Sequence, residues 1–113
     1  MNVTAKQFWE LMERWHVSDA VALELIGFAG KIGQSGKRPR FRFLPAHQQA
    51  SSFMTEIDAA LATIGEDAGW LHRKHRCLGG KTPITLMRDD GLAGMEAVLQ
   101  TIHRSALRSS LKS

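Results

Sequence analysis

Apolar residues recur along this chain at helical spacing, and no alternating strand pattern competes with them. Phe8, Leu11, Met12 and Trp15 fall at i, i+3, i+4 and i+7, one face of a helix over about residues 5–15. Ser18 and Asp19 suit the N-cap of a second helix, with Val21, Ala22, Leu25 and Ile26 turned inward and Gly27 to end it. A third helical pattern begins near Pro45, a residue suited to a first turn, and runs to residue 64. Its stripe is Phe53, Ile57, Ala60, Leu61 and Ile64, with Glu56 and Asp58 pointing away and Gly65 as the stop. The stripe serves either a core or a dimer seam.

Asp67 is placed to cap a short turn from Ala68 to His72, with Trp70 and Leu71 inside and Arg73, Lys74 and Arg76 in water. Thr82-Pro83 is a strong helix start, followed by Ile84, Leu86 and Met87 in a short helix ending near Arg88. Asp89-Asp90-Gly91 opens a last helix whose inward stripe is Leu92, Met95, Val98, Leu99, Ile102 and Ala106. The fold class expected is all-α: a helix-turn-helix-like N-terminal region (1–44), then a long central helix with a C-terminal helical part (45–113). The weak point of that pattern is residues 29–36, where Gly30, Gly33 and Gly36 each disfavour a helix by about 1 kcal/mol relative to alanine. A loop or irregular turn is expected there instead of a recognition helix.

Composition adds bounds. A chain of 113 residues with 43% apolar content suits one modest domain with a real core. No apolar run approaches the roughly 18 residues needed to cross a bilayer, and Met1 to Lys6 lacks a signal-peptide layout. A single Cys excludes an intrachain disulfide. A cytoplasmic protein is the expectation.

Charge changes the picture more. The net charge of +4 is gathered into two acid-free islands. One is Lys31, Lys37, Arg38, Arg40 and Arg42; the other is Arg73, Lys74, Arg76 and Lys81. Such islands hold phosphates or an acidic protein face, or are simply solvated loops. Arg40 and Arg42 alternate with Phe41 and Phe43, a pattern that stacks on bases or pins a loop to a core.

The second island lies in the stretch from Trp70 to Pro83, where candidate chemistry concentrates. His72, His75 and Cys77 are zinc-ligand types, but a closed site wants a fourth ligand and none is near in sequence. A Cys77 thiolate with a His base needs a cleft and an oxyanion hole, which a short helical chain does not announce. Gly79-Gly80-Lys81-Thr82 is similar to the end of a phosphate loop, yet position 75, where the first glycine belongs, is His. Glycines here serve a tight turn and the close approach of a partner.

The ordered string Trp70-Leu71-His72-Arg73-Lys74-His75-Arg76, then Leu78-Gly79-Gly80-Lys81-Thr82-Pro83-Ile84-Thr85-Leu86-Met87, resembles the C-terminal domain of the Xre/MbcA/ParS-type antitoxins. The likeness covers about residues 53–107. It implies a mostly helical, non-enzymatic antitoxin of a type II toxin–antitoxin module, without cofactor. Its partner would be a RES-domain toxin that degrades NAD, and homodimers are common in the family. The residues implied for toxin binding are Trp70, Leu71, Leu78, Gly79, Gly80, Thr82 and Pro83, with His72 beside them; residues 88–113 are expected to reach the toxin too. The Xre-like N-terminal region implies operator DNA as a second partner, held through Lys31, Lys37, Arg38, Arg40 and Arg42. A DNA-binding autoregulator is thus the alternative function, and a small enzyme using Cys77 with His72 or His75 is a third.

Overall fold

The computed structural model describes residues 4–28 and 42–111, with side chains to residue 107. Four α-helices and two 3₁₀ turns follow one another: α1 (Ala5–Arg14), α2 (Asp19–Ile26), α3 (Pro45–Thr63), the turns Ala68–His72 and Arg76–Leu78, and α4 (Pro83–Leu111). Among the described residues there is no strand, and the fold is all-α. The glycine-rich stretch at 29–36 lies outside the described residues.

Helix ends follow local chemistry. Thr4 and Gln7 form a reciprocal capping box on α1, and the Ser18 hydroxyl accepts from the Val21 N–H at the start of α2. At the start of α3, His47 Nδ1 accepts from the Leu44 N–H at 3.1 Å, the service that Glu or Gln usually gives. The first three helices close with paired backbone bonds that use up their last carbonyls: Val17 to Met12 and His16 to Glu13, Phe28 to Leu23 and Gly27 to Glu24, Glu66 to Leu61 and Gly65 to Ala62. Two of those turns place glycine at positive φ; the first places His16 there, at +56°.

One apolar core runs through all four helices and both turns: Phe8, Leu11, Met12 and Trp15 meet Ala22, Leu25 and Ile26, Met54, Ile57 and Leu61, Trp70, Leu71 and Leu78, then Met87, Met95, Val98 and Ile102. The boundary at residue 44 therefore separates regions of the chain, not cores. One expectation is corrected here: Leu92, placed on the inward stripe, is exposed. Val21, Phe53 and Ile64 are half-buried and pack against this core, and Leu23, Ala50 and Met54 join the buried stripes beside Ile57, Ala60 and Leu61. Asp58, off the α3 stripe, has a role there: its carboxylate accepts from the indole N–H of the fully buried Trp15 and from the Arg14 guanidinium, both at 3.0 Å. A helix needs such an acid on its flank when its neighbour buries an indole donor.

The break expected between the last two helices is a single residue. Gly91 leaves helical geometry (φ 59°, ψ −131°), and the chain resumes as helix at once. That kink folds the two arms of α4 together so closely that a β-carbon on Gly94 would stand 2.5 Å from the Leu86 carbonyl oxygen.

Candidate functional site

The stretch from Trp70 to Pro83 folds into a corner between α3 and α4. Asp67 caps its first turn by accepting from the Gly69 N–H, and Glu66 holds Arg73 at 2.9 Å. Trp70, Leu71, Leu78 and Pro83 are buried and anchor the corner in the core. Of the eight residues implied for toxin binding, those four offer little side-chain surface. His72, Gly79 and Gly80 are exposed and Thr82 is half-buried.

Both imidazoles make hydrogen bonds within the fold. His72 donates from Nε2 to the Trp15 carbonyl at 2.6 Å, stitching the corner to the end of α1 beside the positive-φ turn at His16. His75 donates from Nε2 to the Trp70 carbonyl at 2.9 Å, and its ring lies against the Trp70 indole with centroids 4.3 Å apart. The second turn is tied off by backbone bonds: His75 N–H to Lys81 O, Leu78 and Gly80 N–H to His75 O, Gly79 N–H to Arg76 O and Lys81 N–H to Leu78 O. Gly79 and Gly80 both take positive φ, at +69° and +78°, a sequence of conformations that side chains resist. Thr82 then caps α4, accepting from the Thr85 N–H.

The bonding within the corner bears on the phosphate-loop likeness first. A phosphate cradle needs unspent backbone N–H groups, and those of Gly79, Gly80 and Lys81 are all spent inside the loop. His75 spends its Nε2 on the Trp70 carbonyl. Cys77 is exposed, beside a hollow of about 60 Å³ lined with Thr101, Arg104 and Ser105. Among the described residues no group of three or more His, Cys, Asp or Glu is arranged to hold a metal ion. What the corner presents is charge on a fixed frame. Arg73 is paired with Glu66 and Lys81 with Asp89, whereas Lys74 and Arg76 are exposed and make no ion pair among the described residues.

A second concavity escaped sequence reasoning because three separate segments build it. Arg14, His16, Asp58, Leu61, Ala62, Glu66, Asp67 and Ala68 line an open cleft of about 530 Å³. Its carboxylates serve the fold: Asp58 holds Trp15 and Arg14, Glu66 holds Arg73, and Asp67 caps a turn.

Of the basic N-terminal island, Arg42 is exposed just before α3, and Lys31, Lys37, Arg38 and Arg40 lie outside the described residues. Phe43 is half-buried with its ring 5.8 Å from that of Phe8, so at this position the aromatic pins the chain to the core. No helix among the described residues is long and apolar enough to cross a membrane. The chain matches no family model, no curated protein and no solved structure.

Proposed function

We propose that this protein is an antitoxin: a binding protein that holds a RES-domain, NAD-degrading toxin and keeps it inactive, with the exposed edge of the corner at residues 72–82 as its contact. The observation that carries the reading is the construction of that corner. Four buried side chains anchor it, and its loop amides bond to one another, so Lys74, Arg76 and the Gly79-Gly80 edge project from a preorganised base. A surface already ordered loses little entropy on binding, and its charge selects an acidic face. The resemblance of the Trp-Leu to Thr-Pro string supplies the class of partner.

Residues 88–113 enter this reading differently from the sequence expectation. Met95, Val98 and Ile102 of that region are fully buried. Deleting everything after Arg88 removes the core along with any contact surface, so point substitutions are the sound test. Co-expression with a RES-domain toxin is expected to give a stable complex. In it, Lys74→Glu with Arg76→Glu weakens affinity tenfold or more at unchanged helicity. A complex indifferent to both changes moves the contact elsewhere, and no complex at all overturns the reading.

A second reading, operator binding, draws on the acid-free run that ends at the exposed Arg42. It requires a gel shift that weakens steeply with salt and is lost when Lys37, Arg38, Arg40 and Arg42 become Ala.

A further inference from the structure

Between its two 3₁₀ turns the corner runs extended, with Arg73 at φ −99°, ψ 149° and His75 at φ −125°, ψ 131°. His75 forms an antiparallel bridge with Lys81: its N–H donates to the Lys81 carbonyl at 3.2 Å, and its carbonyl accepts from the Gly80 N–H at 3.0 Å. Its ring lies on the Trp70 indole. Along an extended chain, successive residues turn their backbone groups to opposite edges and their side chains to opposite faces. Lys74 therefore presents its N–H and C=O on the edge away from Lys81, and its side chain away from Trp70. The residue is exposed, and neither backbone group has a hydrogen-bond partner among the described residues.

An open edge of this kind is completed by the backbone of another chain, which adds as a short strand. A helix cannot serve, because its own N–H and C=O groups are spent within it. Charge narrows the choice further. Arg73 and Lys81 are paired with Glu66 and Asp89, whereas Lys74 and Arg76 make no ion pair among the described residues. Both are exposed beside the open edge, and they match carboxylates on the incoming segment.

We propose that the corner captures an extended, acidic segment of its partner by backbone pairing along Arg73–His75. The segment exchanges two hydrogen bonds with Lys74, one to its N–H and one from its own N–H to the Lys74 carbonyl, and seats carboxylates on the Lys74 and Arg76 side chains. The identity of the partner rests on the antitoxin reading; the mode of capture rests on the edge.

The test uses the full chain with a RES-domain toxin. With no bond to break, the Lys74 amide of the free chain exchanges with solvent as an open peptide does. In the complex its exchange is expected to slow at least tenfold by NMR. Proline at position 74 removes only the N–H from the backbone, because Arg73 already holds the extended conformation that a following proline demands. Lys74→Pro is expected to bind about tenfold more weakly than Lys74→Ala, which loses the charge alone, at unchanged circular dichroism. An amide that still exchanges freely in the complex overturns backbone pairing and leaves the antitoxin reading standing; so does a folded Lys74→Pro that binds as well as Lys74→Ala. Should the wild-type chain bind no toxin, the antitoxin reading falls, and an octapeptide of alternating Glu and Thr decides the pairing. A shift of the Lys74 amide resonance with that peptide, absent when the peptide backbone is N-methylated, supports it, and no shift overturns it.

Discussion

At Asp58 one side chain decides how the first helix meets the third. Trp15 is fully buried, and Asp58 takes its indole N–H while also holding Arg14. Removing the acceptor strands a buried donor, so Asp58→Ala is expected to lower stability by about 2 kcal/mol. The surface pair with Arg14 adds little to that figure, and Arg14→Ala is expected to cost under about 1 kcal/mol. Urea unfolding of both variants checks the ranking. Ser51 is the reverse case: its hydroxyl is buried on α3 with no hydrogen-bond partner among the described residues. Ser51→Ala removes an unsatisfied group and improves helix propensity, and a rise of about 1 kcal/mol in the same assay is expected. Neither role is legible in the sequence. Position 58 reads as an outward acid on its own helix, and only the arrival of Trp15 from a distant segment makes it an acceptor. The bonds of His72 and His75 escape the sequence for the same reason: their partners are carbonyls, which leave no mark in a residue pattern.

Among the elements, helix starts and stops were the most legible features. Ser18, Pro45, Gly65, Asp67 and Thr82-Pro83 act where their local chemistry says they should. The two glycines of α4 divide on this point. Gly91 follows Asp89-Asp90 and marks a boundary that sequence shows. Gly94 sits in an unbroken helical pattern, where alanine would be favoured by about 1 kcal/mol. Its need arises from the other arm of α4, whose Leu86 carbonyl fills the space of a β-carbon. Gly94→Ala is therefore expected to destabilise by at least about 2 kcal/mol despite its propensity, and to lower the thermal midpoint by several degrees. An unchanged midpoint would mean that the two arms separate at no cost. Gly91→Ala is expected to cost about 2 kcal/mol through its positive φ alone.

For the whole molecule, the all-α class was legible from periodicity and one domain with a core from length and composition; which stripes meet in that core was not, because stripes show which faces are buried but not against what. The candidate site was half legible. Sequence marks the corner through its glycines, its threonine cap and its run of basic residues. Burial then divides that list, sending Trp70, Leu71, Leu78 and Pro83 inward as anchors and leaving Lys74, Arg76, Gly79 and Gly80 as the surface. Whether the surface proposed at residues 72–82 silences a toxin is read most directly from NAD consumption by a RES-domain toxin, with increasing amounts of the chain added. Consumption is expected to fall to background near one chain per toxin, and the Lys74→Glu, Arg76→Glu variant to need at least tenfold more. Undiminished NAD consumption at a large excess of folded chain would contradict the proposal.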